Sequence, residues 1–300
     1  MKILLLGAGG QVGRELPEAV RSAKDKSIDV IGFDRNQLDI TQESAITRQI
    51  RALQPSLVIN AAAYTAVDRA EQEPEKAFAV NRDAPGFIAK ACANAGIPLL
   101  HISTDYVFDG EKQGAYDEGD AVNPLGIYGQ SKWEGEEAIR RNLEQHIIVR
   151  TSWVFGVYGK NFVYTMINLA RQREELRVVN DQHGCPTPAS AIATTLLDIS
   201  RQITKGGFNG WGTYHYCGRP PTNWHQFAGA IINAGKEKFA LKVKQINPIS
   251  TREYPTPAKR PENSVLNCDK IRNVFGVEQP DWNEALRAML QHPHLMDVAQ

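Results

Sequence analysis

The stretch MKILLLGAGGQVG, residues 1–13, joins a short apolar run to a cluster of glycines. Gly7 allows a tight strand-to-helix turn, Gly10 lets the backbone approach a pyrophosphate, and Gly13 lets the helix pack close to the sheet. A second apolar run, VIGFD at residues 30–34, follows at the distance expected of a strand–helix–strand unit. The stretch therefore predicts a dinucleotide site with the phosphates at the helix N-terminus.

Apolar bursts recur along the first half of the chain and alternate with longer amphipathic segments. They occupy residues 3–6, 29–33, 56–60, 98–103 and 147–149. They lack strict alternation, which is typical of strands that are covered on both faces. The pattern predicts an α/β fold, a Rossmann-type doubly wound parallel sheet. We expect a dinucleotide-binding domain over residues 1–155, to which segments around 180–220 return, and a smaller, loop-rich substrate-binding lobe mainly over 156–300.

The composition restricts the kinds of partner. The chain has 300 residues, 42% of them hydrophobic, and its 34 basic residues balance its 34 acidic residues. This balance indicates neither a nucleic-acid surface nor a membrane surface, so we expect a small-molecule partner. The N-terminal apolar run is too short for a signal peptide, and the sequence contains no run of membrane-spanning length, which predicts a cytoplasmic protein. The four cysteines have no CxxC spacing and are interpreted as reduced and structural.

The pair Asp34 and Arg35 follows the second predicted strand. A carboxylate at this place bonds the ribose hydroxyls of NAD, while a neighbouring guanidinium can hold the extra phosphate of NADP. Either residue could instead be an ordinary charged residue at a strand end. The sequence therefore leaves the choice between NADH and NADPH open.

Several motifs together resemble the extended short-chain dehydrogenase/reductase family. They are GxxGxxG at 7–13, LDI at 38–40, NAAAYTAVD at 60–68, HISTDYVFDG at 101–110, and YGQSK at 128–132. VVNDQHGCPT at 178–187 and AKRPENSVLNCDKI at 258–271 are similar to its dTDP-4-dehydrorhamnose reductase branch. The resemblance implies NADPH or NADH as cofactor, a nucleotide-sugar substrate and a homodimer. It also implies the use of Mg²⁺, for which the sequence identifies no ligands.

Tyr128 and Lys132, four positions apart, share one face of a predicted helix. Alone, this pattern arises easily by chance. In a ketone reductase, Tyr128 is the proton donor, and an ammonium one turn away would lower its pKa from the ordinary value near 10. Thr104, at the end of the fourth strand, stands where the superfamily bonds the substrate carbonyl. Ser103 is the neighbouring alternative, but strand alternation points it the other way.

The resemblance assigns further site residues. The expected cofactor contacts are Gln11, Val12, Asp39, Ile40, Ala62, Ala63, Tyr64 and Thr65, and the expected substrate contacts are Asp105, Trp153, Arg260 and Asn263. Trp153 could instead pack in the core, and Arg260 could form a surface salt bridge. The histidines at 183, 215 and 225 match no metal-ligand spacing and are attributed to packing or to the surface.

The resemblance thus implies reduction of dTDP-4-dehydro-L-rhamnose, and three alternatives remain. One is another nucleotide-sugar reductase, and a second is an epimerase or dehydratase on the same scaffold. Dehydratases of this superfamily carry an acidic pair after the threonine, whereas Asp105 is followed here by Tyr106. A third is a non-catalytic binding subunit, since one relative serves as a regulatory partner of methionine adenosyltransferase. The intact set Thr104, Tyr128 and Lys132 argues against it.

Overall fold

The structure, a computed structural model, describes residues 1–293. Its centre is a sheet of six strands in the order β10-β5-β4-β3-β1-β2, and all neighbouring pairs are parallel. These strands are β1 (Lys2–Leu6), β2 (Asp29–Phe33), β3 (Leu57–Asn60), β4 (Leu99–Thr104), β5 (His146–Thr151) and β10 (Gly212–His215). The predicted Rossmann-type α/β class is confirmed.

Helices cover both faces of this sheet. In β1, Ile3 and Leu5 face one apolar core while Leu4 and Leu6 face the other, so the strand is buried on both sides and its sequence shows no polar alternation. The helices around the sheet are α1 (Gln11–Ser22), α2 (Glu43–Leu53), α3 (Val67–Ala70), α4 (Pro74–Phe78), α5 (Ala84–Ala95), α6 (Ile127–Asn142) and α8 (Ala189–Ile203). Helix α1 packs on α8, and α5 packs on both α2 and α6.

A smaller lobe has its own apolar core, which includes Phe155, Phe227 and Trp282. Its helices are α7 (Phe162–Gln172), α9 (Trp224–Gly235) and α11 (Trp282–Gln291), and α10 (Asp269–Phe275) packs near β10 and α8. Its short strands form two-stranded pairs, β7 (Glu175–Val179) with β12 (Gln245–Ile249), β6 (Val154–Phe155) with β9 (Thr187–Pro188), and β8 (His183–Gly184) with β11 (Thr222–Asn223). The domain boundary given above stays a prediction. Beyond residue 155, β10 and α8 lie in the layers of the large sheet.

Candidate active site

The turn after β1 has room only for glycine at two positions. Gly7 has φ +87°, and a Cβ built there would lie 2.6 Å from the backbone nitrogen of Ala62. A Cβ on Gly13 would lie 2.1 Å from the Gly7 carbonyl oxygen. Gly10 is the N-cap of α1 and offers no side chain to its free amides. A bare helix N-terminus reached by a tight turn fits the pyrophosphate of a dinucleotide.

The predicted adenosine end of the site follows β2. Asp34 Oδ1 accepts hydrogen bonds from the backbone of Asn36 at 2.8 Å and of Gln37 at 3.1 Å, while Arg35 is exposed. Asp39 Oδ1 similarly accepts from the backbone of Thr41 at 3.0 Å, and the neighbouring Ile40 is buried. Both carboxylates therefore stabilise local turns, and each has one oxygen that these turns do not use.

The loop after β3 lies directly beneath the glycine turn. The Ala62 amide donates to Asn60 Oδ1 at 3.1 Å, and Tyr64 exchanges two hydrogen bonds with the Asn81 side chain. The Tyr64 hydroxyl is turned away to Glu73 at 2.8 Å. The loop residues Ala62, Ala63 and Tyr64 are partly buried and Thr65 is exposed. Partly buried hydrogen bonds thus hold the loop backbone in a fixed position next to the turn.

At the start of α1, two predicted cofactor residues point to different neighbours. The Gln11 side-chain oxygen accepts a hydrogen bond from Asn161 at the N-terminus of α7, at 3.3 Å. Val12 packs against the core beneath the sheet. Gln11 therefore connects α1 with the smaller lobe.

Thr104 and Lys132 flank the predicted proton donor Tyr128 at the C-terminal edge of the sheet. Thr104 ends β4, and its hydroxyl donates to Asp105 Oδ1 at 3.0 Å. Tyr128 and Lys132 both lie in the first half of α6. The Lys132 side-chain nitrogen is buried, 2.7 Å from the carbonyl oxygen of Ile102. The hydroxyl of the neighbouring Ser103 is buried and makes no hydrogen bond within the described residues, whereas the Thr104 hydroxyl bonds to Asp105.

Burial dominates the electrostatics of this pair. It raises the pKa of Tyr128 to about 12, and the bond with Thr104 opposes that rise. It lowers the pKa of Lys132 to about 8, against the opposing charge of Glu136. The prediction that Lys132 lowers the pKa of Tyr128 below its ordinary value is therefore wrong for the protein alone. The physical reason is that removal from water penalises the phenolate more than its neighbours stabilise it.

The predicted substrate residues Asp105 and Trp153 follow strands β4 and β5 at the C-terminal edge of the sheet. Asp105 is buried, and burial raises its pKa to about 7 although bonds to Ser264 and Thr104 oppose the rise. Trp153, just after β5, has φ +47° and stacks on Trp224 with ring centroids 3.5 Å apart. A positive φ at a tryptophan is an uncommon conformation, and it is held here by stacking.

Arg260 and Asn263 belong to a loop that reaches the site from the end of the chain. Arg260 pairs with Asp68 at 2.8 Å and lowers the pKa of that carboxyl. Its loop lines a small cavity together with Tyr106 and Tyr128. The Asn263 amide donates to the carbonyls of residues 112 and 114 and accepts from residue 265, so its hydrogen bonds hold backbone.

Two polar residues that the motifs did not assign lie behind Lys132. His101 Nε2 is 3.3 Å from Lys132 Nζ, and His101 Nδ1 is 3.0 Å from the Asn60 amide nitrogen. Both side chains are buried. The available signal in the sequence was a single histidine inside an otherwise apolar strand, PLLHIS at 98–103.

Cysteine and histidine contacts also go beyond the sequence pattern. Within residues 1–293 all four cysteines are free and buried, and Cys217 Sγ lies 3.7 Å from Cys268 Sγ. His215 is buried with its pKa lowered to about 3, largely by burial.

Across residues 1–293, no group of three or more acidic, histidine or cysteine side chains is arranged to hold a metal ion. None of the helices within it is both long and apolar enough to cross a bilayer.

Known proteins resemble this chain over nearly its whole length. The family model for the RmlD substrate binding domain matches residues 1–294. The dTDP-4-dehydrorhamnose reductase of Aggregatibacter actinomycetemcomitans is 43% identical over 95% of this chain and 97% of its own. The crystal structure of a dTDP-4-dehydrorhamnose reductase from Clostridium acetobutylicum has a TM-score of 0.90 at 37% identity, covering 99% of this chain and 100% of that chain. A Bacillus anthracis dTDP-4-dehydrorhamnose reductase in complex with NADP has a TM-score of 0.87 at 35% identity, covering 96% and 98%. The chain therefore belongs to the RmlD substrate binding domain family, in the dTDP-4-dehydrorhamnose reductase branch that its motifs predict.

Proposed function

We propose that this protein reduces dTDP-4-dehydro-L-rhamnose to dTDP-L-rhamnose with NADPH or NADH. The observation that carries the proposal is the meeting of Thr104, Tyr128 and Lys132 at the C-terminal edge of the parallel sheet, next to the glycine turn. Ligands bind at this edge in open α/β folds. The relative that was solved with NADP supports the choice of cofactor.

Tyr128 is the proposed general acid. A reduced nicotinamide, when bound, would supply the hydride for the C4 keto carbon. As negative charge develops on the keto oxygen, Tyr128 donates its proton there. Because the pKa of Tyr128 is about 12, the phenol holds its proton throughout the neutral range. An alkoxide is more basic than a phenolate, so the transfer remains favourable despite this high pKa.

Thr104 and Lys132 assist in different ways. The Thr104 hydroxyl has an adjacent acceptor in Asp105, and it can turn to donate to the substrate oxygen instead. Lys132 donates to the carbonyl of Ile102, which fixes its nitrogen in place. Its other hydrogens remain for the hydroxyls of a cofactor ribose and for the phenolate that forms at Tyr128.

Three residues are proposed to bind the sugar nucleotide. The Trp153 ring, held by its stacking on Trp224, offers an apolar wall for a sugar face. Asp105 is a hydrogen-bonding partner for a sugar hydroxyl. Arg260 is half of an ion pair with Asp68, and a diphosphate would compete with that carboxylate for the guanidinium. Asn263 is proposed to keep the neighbouring loop in position, since its amide is occupied by backbone groups.

The experiment is a direct assay. Purified protein is mixed with NADPH and dTDP-4-dehydro-L-rhamnose, the loss of absorbance of the reduced nicotinamide is followed, and the sugar product is identified by NMR. One mole of cofactor oxidised per mole of dTDP-L-rhamnose formed is expected. Cofactor binding without oxidation would favour a regulatory subunit, and a rearranged sugar without net oxidation would favour an epimerase.

We further propose that the protein is a cytoplasmic homodimer and that Mg²⁺ supports its assembly. These proposals come from the family resemblance. Light scattering after size exclusion, with Mg²⁺ and with a chelator, tests them. A mass near 33 kDa for the species in solution under both conditions would refute the dimer, since the chain has a mass of 33.3 kDa.

A further inference from the structure

A row of three buried polar side chains runs from the loop beneath the glycine turn to the proposed catalytic lysine. Asn60 ends β3, His101 lies beside it on β4, and Lys132 reaches the histidine from α6. The distances are 3.0 Å from the Asn60 amide nitrogen to His101 Nδ1 and 3.3 Å from His101 Nε2 to Lys132 Nζ. The three side chains are at most 2% exposed. Because the three side chains are buried, their hydrogen-bond donors and acceptors must match one another.

The orientation of Asn60 is fixed by a backbone group. The Ala62 amide can only donate, and it lies 3.1 Å from one atom of the Asn60 side chain, which must therefore be the oxygen. The nitrogen of that side chain then faces His101 Nδ1. An amide nitrogen donates, so Nδ1 accepts, and a neutral His101 carries its only proton on Nε2.

This tautomer directs a donor at Lys132. An ammonium has three hydrogens and no lone pair, so it cannot accept the Nε2–H. A neutral amine accepts that hydrogen, donates one of its own to Ile102 and keeps the other for a ligand. Every group in the row is satisfied only when Lys132 is neutral.

We propose that His101, oriented by Asn60, is a positioning residue that directs its Nε2–H at Lys132 and favours the neutral amine of this lysine before the cofactor binds. The inference rests on the proposed function only in taking Lys132 as the lysine that meets the cofactor. Above about pH 8, where the lysine is neutral in the free protein, binding of the anionic cofactor favours the ammonium and therefore draws a proton onto Lys132.

The charged surroundings of Lys132 shift the same equilibrium between amine and ammonium. Along α6, Tyr128 is neutral and Glu136 is the one carboxylate that acts on Lys132. From the sheet, the charge of His146 acts on His101, and both histidines have a pKa lowered chiefly by burial. Burial also lowers the pKa of Lys132 to about 8, despite the opposing effect of Glu136. Neither histidine adds a positive charge at neutral pH.

The other buried histidines provide an internal control for the tautomer. His146 Nδ1 lies 2.6 Å from the carbonyl of Leu143, and His215 Nδ1 lies 3.1 Å from the carbonyl of Tyr116. A carbonyl only accepts, so both of these rings carry the proton on Nδ1. Among these three buried histidines, His101 is the one expected to carry it on Nε2.

The first test is NMR of ¹⁵N-histidine-labelled protein without added cofactor. Long-range ¹H–¹⁵N spectra distinguish the two tautomers, and His146→Gln and His215→Gln identify the signals of the other two buried rings. We expect one buried ring protonated on Nε2 and two on Nδ1. Three rings protonated on Nδ1 would overturn the proposal. This readout needs neither turnover nor cofactor, so it remains decisive if the proposed reaction is wrong.

The second test counts protons. Calorimetric titration with NADPH at pH 8.5, in buffers of different ionisation enthalpy, gives the number of protons taken up on binding. We expect the wild type to take up a substantial fraction of one proton. In His101→Gln, the glutamine side chain can turn its carbonyl oxygen towards Lys132. This oxygen accepts a hydrogen bond from the ammonium, so the pKa of Lys132 should rise by about one. Its uptake should fall to less than half, while His146→Gln retains the wild-type value. Equal uptake in His101→Gln and wild type would refute the role of His101.

Discussion

Replacing Lys132 by methionine should stabilise the fold while it abolishes function. Lys132 is 2% exposed, and burial lowers its pKa from 10.5 to about 8. The unfolded chain therefore binds more protons than the native protein between these two values. Below pH 8 Lys132 is protonated in both the native and the unfolded state, and the native protein bears the full cost of burying this charge. It amounts to roughly 3 kcal/mol, from a difference of about 2.5 in pKa at about 1.4 kcal/mol each.

Methionine has a similar length and no charge, so Lys132→Met removes this penalty. It also leaves the Ile102 carbonyl without its donor, which costs about 1 kcal/mol. The variant should therefore be more stable than the wild type by roughly 2 kcal/mol at pH 7. As the pH rises from 8 towards 10.5, the native wild type loses its buried charge and its free energy of unfolding increases. The stability advantage of Lys132→Met should therefore vanish and then reverse in sign.

Urea unfolding of both proteins at pH 7, 8.5 and 10, followed by circular dichroism, measures the difference. Subtracting the two curves removes the titration of all shared groups. Lys2→Met is the control, because the Lys2 side chain also donates to a backbone carbonyl, at 2.9 Å, but remains partly exposed. A Lys132→Met variant less stable than the wild type by a constant amount at all three pH values would refute the reasoning.

Three further outcomes follow from the site. Tyr128→Phe should retain cofactor binding and lose on the order of a hundredfold or more in kcat. The control Tyr164→Phe removes a phenol that bonds to a carbonyl of the smaller lobe, and it should keep the wild-type kcat. Near-normal turnover of Tyr128→Phe would rule out Tyr128 as the general acid. Gly13→Ala should raise the Kd for NADPH at least tenfold, measured by fluorescence, because its Cβ would lie 2.1 Å from a backbone oxygen of the turn; unchanged affinity would argue against phosphate binding there. Asp34→Ala should raise KM selectively for NADH and Arg35→Ala selectively for NADPH, with the wild-type efficiencies within about tenfold of each other; equal loss of both cofactors in Arg35→Ala would show that this side chain does not bind the phosphate.

The sheet was predictable because its physical cause is local. Each inner strand contains a short run of consecutive apolar residues. A run such as ILLL at 3–6 has apolar side chains on both faces of the strand, so it is stable only when helices cover both faces of the sheet. The glycine turn was predictable for the same reason, since Gly7 and Gly13 are required by clashes within a few residues. The pairing of β10 with β5 joins segments about 65 residues apart, and the local pattern does not specify it.

The state of the site depends on distant partners. Tyr128 and Lys132 were found from their spacing, but their pKa shifts come from burial, which a linear sequence does not display. Trp153 has φ +47° and stacks on Trp224, which lies 71 positions later in the chain. Asn263 resembles a ligand residue by motif, yet its amide bonds to backbone about 150 positions earlier. Such contacts depend on tertiary packing rather than on a motif.

The spacing of four that revealed Tyr128 and Lys132 continues along α6 through Glu136 and Arg140. A free carboxylate at Glu136 would hold the buried Lys132 as a permanent ammonium. Instead Glu136 is bound by two guanidinium groups, Arg150 at 2.7 Å and Arg140 at 2.8 Å. Because these cations already balance its charge, its effect on Lys132 is outweighed by burial, and the pKa of the lysine falls to about 8. The ion cluster deep in α6 therefore permits the lysine to change its charge near pH 8.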